Sequence, residues 1–152
     1  MILVDTNVLI YAVNVDSPYH MASKGVLDAA IKGKIRGVLV PQVLLEFYAV
    51  VTDPCRVERP LSPETAWEQV AAFQQIFLLI DAGPKSLDFL KELAPLAKGA
   101  DIFDAYIVAQ MMAGGISLIC TYNKKNFLKF PGVLAQTPEE ILANLGMPQE
   151  VL

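Results

Sequence analysis

Residues 1–12 read MILVDTNVLIYA. Four apolar or small-step positions lead into Asp5-Thr6-Asn7, and an apolar run then resumes at Val8. A continuous apolar run of this length, bounded by polar residues, suits a strand buried on both faces. Asp5 then stands at the end of a buried strand, and the residues from about Asn7 read as a helix. The placement of a carboxylate there is the feature around which the rest of the chain is read.

The same alternation recurs. Ser17 and Pro18 are read as N-cap and first residue of a helix that Gly33 stops. RGVLV (36–40) is a second buried strand, and PQVLLEFYAVV (41–51) an inner helix with Glu46 in its early turns. Ser62-Pro63 opens a helix to about Ile76, FLLID (77–81) is a third strand, and Pro84 opens a helix to about Leu96. A helix from near Asp101 ends at Gly114-Gly115, SLICT (117–121) is a fourth strand, and GVLA (132–135) a short fifth. Thr137-Pro138-Glu139-Glu140 carries a capping-box pattern for the last helix. Apolar strands alternating with helices imply a parallel sheet of four or five strands covered on both faces, in one domain over residues 1–152.

Composition narrows the function. The formal net charge is −4 over 152 residues, which argues against a general nucleic-acid coat and leaves room for a cation-dependent nuclease. The hydrophobic fraction of 54% fills a core and leaves an apolar patch for a partner. Cys55 and Cys120 follow no metal-ligand spacing and fit free thiols in a reducing compartment. The N-terminus lacks a positively charged signal-peptide region, so the expected location is cytoplasmic. Residues 105–123 carry no formal charge, but Gln110 and Gly114-Gly115 break that stretch into helix, turn and strand, so no membrane span is expected.

In an open parallel sheet, ligand sites lie outside the carboxyl ends of the strands. Asp5 ends strand one there. Glu46 lies on the helix leaving strand two, and Asp104 opens a helix running antiparallel to the strands, so both reach the same edge. Thr121 and Asn123 follow strand four. Carboxylates gathered so closely repel, and a hard cation relieves the repulsion. Mg²⁺ or Mn²⁺ suits such oxygen donors, lowers the pKa of a water and stabilises charge on a phosphodiester. Plainer roles stand beside these: Asp5 as a helix cap, Glu46 as a solvated helix residue, Asp101 as a partner of the helix dipole, and Thr121 and Asn123 as turn residues. Asp81 and His20 are read as a turn residue and a local packing or capping residue. Phe47, Tyr48, Phe103 and Tyr106 are read mostly as core. Lys124, Lys125 and Lys129 form a basic cluster that is either a solvated loop or an RNA phosphate contact.

The segments LVDTNVLIYA (3–12), VLVPQVLLEFYAVVTDP (38–54) and IFDAYIVAQMMAGGISLICTYNKKNF (102–127), in this order and spacing, resemble the PIN-domain ribonucleases, particularly VapC-like toxins of prokaryotic toxin–antitoxin systems. The resemblance spans nearly the whole chain. It implies a PIN-like three-layer α/β/α fold and a Mg²⁺- or Mn²⁺-dependent endoribonuclease acting on single-stranded RNA. It also implies a homodimer and a small antitoxin whose peptide inserts near the acids. By position it assigns Asp5, Glu46 and Asp104 to the metal and a supporting role to Asn7. It assigns Thr121 the hydroxyl after strand four, and leaves Asp101 as cap or outer helper. Where the family often has a fourth acid, this chain has Asn123 and Asn126. Two further functions compete: an inactive scaffold that binds RNA or a protein, motivated by those asparagines, and a phosphohydrolase using Asp5 as nucleophile, which usually wants an acid at the position of Asn7.

Overall fold

The computed structural model describes residues 1–146. Five short strands form one all-parallel sheet in the order β3-β2-β1-β4-β5. They are β1 (Ile2–Val4), β2 (Gly37–Leu39), β3 (Leu78–Leu79), β4 (Leu118–Cys120) and β5 (Leu134–Gln136). Leu3 pairs in register with Val38 on one side and Ile119 on the other, so β1 is central. Leu3, Val4, Val38, Leu39, Ile119 and Cys120 are fully buried, as strands with both faces covered must be. β3 is an edge strand, and its Leu78 and Leu79 are exposed.

The helices are α1 (Thr6–Val13), α2 (His20–Ile31), α3 (Pro41–Val51), α4 (Pro63–Ile76), α5 (Lys85–Leu93), α6 (Asp101–Ala113) and α7 (Pro138–Asn144). α1 packs on α2 and α3, α3 on α4, and α2 on α7, while α5 packs on α6. From β1 the chain winds outward to β2 and β3, then returns through α5 and α6 to β4 on the other side of β1. The winding reverses between β1 and β4, and the crevice at their carboxyl ends is where such sheets place a ligand. Asp5 and Thr121 end those two strands.

Local chemistry explains most boundaries. Ser62 Oγ accepts from Thr65 N at 3.2 Å, and Thr137 and Glu140 form the full reciprocal capping box at the start of α7. Gly115 (φ +71°) supplies the left-handed turn that lets α6 drop into β4. Gly37 is required for space: a Cβ there would run into the Phe77 ring.

Several expectations are corrected. α2 begins at His20, not Pro18, because Ser17 Oγ accepts from Tyr19 N at 3.1 Å and holds the preceding residues in a turn. α1 begins at Thr6. α5 ends at Leu93, and Ala94–Leu96 tighten into a 3₁₀ turn where Pro95 cannot donate a helical hydrogen bond. Phe103, expected in the core, is largely exposed, as is Leu45 on α3. No helix among the described residues is long and apolar enough to cross a membrane.

Candidate active site

Asp5 is the buried centre of the site, 6% exposed. Its Oδ1 accepts from Thr6 N at 2.8 Å, and its Oδ2 accepts from Thr121 Oγ1 at 2.8 Å and Asn7 Nδ2 at 3.1 Å. Asp5 therefore caps α1 and at the same time joins β1 to β4. Thr121, fully buried, donates to Asp5 and accepts from Asn123 N at 3.0 Å and Asn7 Nδ2 at 3.2 Å. Asn7 Oδ1 accepts from Tyr122 N at 3.0 Å, so Asn7 binds the turn after β4 through both ends of its amide. Burial pushes the Asp5 carboxyl above its ordinary range; the donors Thr121, Thr6 and Asn7 pull it down, and the charge of Glu46 pushes it up again.

Glu46 reaches this centre from the second turn of α3. Its Oε2 accepts from Thr6 Oγ1 at 3.0 Å and its Oε1 from Gln42 Nε2 at 3.3 Å. Asp104 comes from the first turn of α6 and is half-buried. Its carboxyl is pushed up to about 6, first by burial and then by the charges of Asp5, Glu46 and Asp101, against a smaller opposing pull from Lys129. Topology thus brings three acids from sequence positions 5, 46 and 104 within each other's fields. None of the ion pairs among the described residues uses Asp5, Glu46 or Asp104.

Other sequence-derived candidates fall outside this centre. Asp101 does not join the three acids: its carboxylate is held by Lys129 Nζ at 2.7 Å and by Lys98 N, which together keep it below the usual carboxylate range. Asn123 takes part through its backbone N–H only, and the residue is exposed. Lys124 is tied to Glu140 at 2.9 and 3.1 Å, and Lys129 to Asp101, so of the expected basic cluster Lys125 alone is exposed and free of an ion pair. His20 Nδ1 lies 2.9 Å from Tyr11 O, the local contact expected of it. Asp81 Oδ1 accepts from Gly83 N at 3.0 Å in a turn after the edge strand.

Three polar residues of the site escaped the sequence reading. Thr6 bridges to Glu46. Gln42 Nε2 donates to Phe103 O at 3.0 Å as well as to Glu46, and Gln110, 5% exposed, donates to Gln42 Oε1 at 3.0 Å. Gln110 carried a signal: it is the one side chain with strong hydrogen-bonding groups in the otherwise apolar run 107–113 of α6.

Among the described residues, no group of three or more His, Cys, Asp and Glu side chains is arranged to hold a metal ion by itself. Mg²⁺ commonly takes one or two carboxylates and completes its shell with water and substrate oxygens. Hard, mutually repelling oxygen donors that no ion pair engages directly suit such a hydrated ion. A groove of about 700 Å³ begins at Asn7, the residue that donates to Asp5, and runs along Tyr11 and Asn14 to Arg56 and Arg59.

A parallel α/β/α sandwich with acids at the carboxyl edge beside its central strand defines the class, and the PIN-domain family model matches residues 2–133. Within that class the chain belongs to the VapC ribonuclease family. It is 32% identical over 146 residues to Ribonuclease VapC37 of Mycobacterium tuberculosis, covering 93% of this chain and 100% of that protein. In fold it is similar to VapBC2 from Rickettsia felis, solved bound to a DNA fragment from its promoter (TM-score 0.67, 20% identity, 90% of this chain and 98% of that one). A toxin–antitoxin complex from Klebsiella pneumoniae gives a TM-score of 0.59 at 19% identity, covering 91% and 98% of the two chains.

Proposed function

We propose that the chain is a divalent-metal-dependent endoribonuclease cleaving single-stranded RNA, the toxin of a toxin–antitoxin pair. The observation that carries this reading is the convergence of Asp5, Glu46 and Asp104 from the end of β1, α3 and the start of α6, with none of the three held in an ion pair. The VapC37 relative, a ribonuclease by name, supports the reaction class, and the toxin–antitoxin complex of the same fold supports the partner.

Asp5 and Asp104 would hold Mg²⁺ or Mn²⁺, with Glu46 completing the shell or orienting a water. When bound, the ion activates water and offsets charge on the phosphodiester. The chain's own work is positioning. Thr121, Asn7 and Thr6 fix the Asp5 carboxylate, and Thr6 also fixes Glu46. The groove from Asn7 offers a seat for an antitoxin peptide close to the acids. A homodimer and a cytoplasmic location belong to the same reading, and exposed Phe103 and Leu45 are apolar surface for a second copy.

Asp5→Asn is the direct test. It preserves the cap geometry and removes the charge, so metal-dependent cleavage of single-stranded RNA is expected to vanish while the circular dichroism spectrum is retained. Full cleavage by the folded variant would reject the assignment. A second reading, a PIN scaffold without cleavage, is favoured by exposed Asn123 and Asn126 where an acid is common in the family. Calorimetric titration separates the two: absence of Mn²⁺ binding at millimolar concentration selects the scaffold.

A further inference from the structure

We infer that Gln42 and Gln110 are positioning residues that fix Glu46 relative to Asp104 and thereby set which size of cation the cleft accepts. This rests on the metal-dependent reading above.

Gln110 sits among Ile107, Val108, Ala109 and Met111 on a buried stretch of α6. Burying a carboxamide is costly unless its groups are bonded. Its Nε2 donates to Gln42 Oε1 at 3.0 Å and to Tyr106 O at 3.3 Å. Gln42 Nε2 donates to Phe103 O at 3.0 Å and to Glu46 Oε1 at 3.3 Å. The direction of this chain is dictated by chemistry. A carboxylate and a backbone carbonyl only accept, so Gln42 must turn its amino group toward Glu46 and Phe103. Its oxygen is then left for a donor, and Gln110 supplies one.

The consequence is geometric. Phe103 immediately precedes Asp104, so Gln42 ties Glu46 on α3 to the backbone beside Asp104 on α6. Thr6, adjacent to Asp5, holds the other oxygen of Glu46. Glu46 is thus gripped from the Asp5 side and from the Asp104 side, and Gln110 locks the second grip from behind. Residues standing behind metal ligands typically matter by about 10–100-fold in affinity. Mg²⁺ demands near-ideal octahedral geometry, whereas Ca²⁺ accepts longer and more variable bonds. A loosened clamp therefore penalises Mg²⁺ more than Ca²⁺.

The test uses the full chain with Gln42→Met, Gln110→Met and the double variant. Met keeps the volume and removes a buried polar group, so folding is checked by melting temperature. Mn²⁺ affinity is measured by electron paramagnetic resonance, and Mg²⁺ and Ca²⁺ affinities by competition against Mn²⁺. The expected result is a loss of Mg²⁺ affinity of about tenfold or more in each single variant. The Ca²⁺ loss should be clearly smaller, and the double variant no weaker than Gln42→Met, since Gln110 acts through Gln42. Folded variants with unchanged Mg²⁺ affinity would overturn the inference. So would equal losses for Mg²⁺ and Ca²⁺, or losses that add in full in the double variant. Should Gln110→Met fail to fold, the half-buried Gln42→Met decides alone by its Mg²⁺-to-Ca²⁺ ratio. Wild-type protein that binds no Mn²⁺ would reject the metal reading and this inference together, a result distinct from failure of the clamp alone.

Discussion

Removing the charge of Asp104 should make the metal-free protein more stable, although the residue is proposed to be essential. The carboxyl is raised from 3.8 to about 6 by burial and by its acidic neighbours. At ~1.4 kcal/mol per pH unit, that displacement corresponds to an upper bound of about 3 kcal/mol against the ionised form at neutral pH. Asp104 is only half-buried, and solvent screening brings the figure down to about 1–1.5 kcal/mol. Its place in the first turn of α6 acts the other way, because a negative charge there is favoured by about 0.3–1 kcal/mol. Asp104→Asn is therefore expected to stabilise the metal-free protein by about 0.5–1 kcal/mol, a rise in melting temperature of about 1–4 °C for a chain of this size. The assay is thermal melting at pH 7.5 with chelator, repeated with millimolar Mn²⁺. Wild type should gain stability with Mn²⁺ and the variant should not, so the order of the two reverses between the conditions. A variant less stable than wild type in chelator would refute the reasoning, for it would mean that Asp104 has a favourable partner rather than repelling neighbours.

Two other expectations concern the same acids. Because folding raises the Asp104 and Asp5 carboxyls, the native state holds protons more tightly than the unfolded chain. Their contribution to metal-free stability is therefore greatest at acid pH; the part due to Asp104 is lost as pH rises from about 4 through about 6, which urea titrations of wild type against Asp104→Asn will isolate. Metal binding has the opposite sign: Mn²⁺ affinity followed by calorimetry should fall as pH drops below about 6, and a flat profile from pH 7.5 to 5 would exclude Asp104 as a ligand. Thr121→Val, close in shape, deprives Asp5 of its buried hydroxyl donor and Asn123 N of its acceptor. It should cost about 1–3 kcal/mol in chemical denaturation, and a neutral result would show that the contacts around Asp5 are replaceable.

How much of this is legible in the sequence follows from the range of each interaction. Strands of pure apolar character, the capping box at Thr137 and the glycine stop at Gly33 are local signals and could be read directly. The gathering of Asp5, Glu46 and Asp104 needed only strand order and helix direction, which alternation of elements supplies. The partners of individual side chains were another matter. That Asp101 turns to Lys129 and Lys124 to Glu140 depends on where the segment after β4 packs against α6 and α7, across 28 and 16 residues. The link from Thr6 to Glu46 spans 40 residues and that from Gln42 to Gln110 spans 68, and neither has a periodicity to betray it. Phe103 misleads for a related reason: the apolar density around it suggests burial, yet on short helices some apolar positions face outward, and composition does not tell which.

The central claim is that Asp5 and Asp104 share an ion. Crystals of the full chain grown in Mn²⁺ and measured at the manganese absorption edge test it most directly. The account predicts an anomalous peak in contact with Asp5 and Asp104, with Glu46 bound directly or through a water. Well-ordered acids with no peak between them at millimolar Mn²⁺, or a peak bound elsewhere on the molecule, would contradict it.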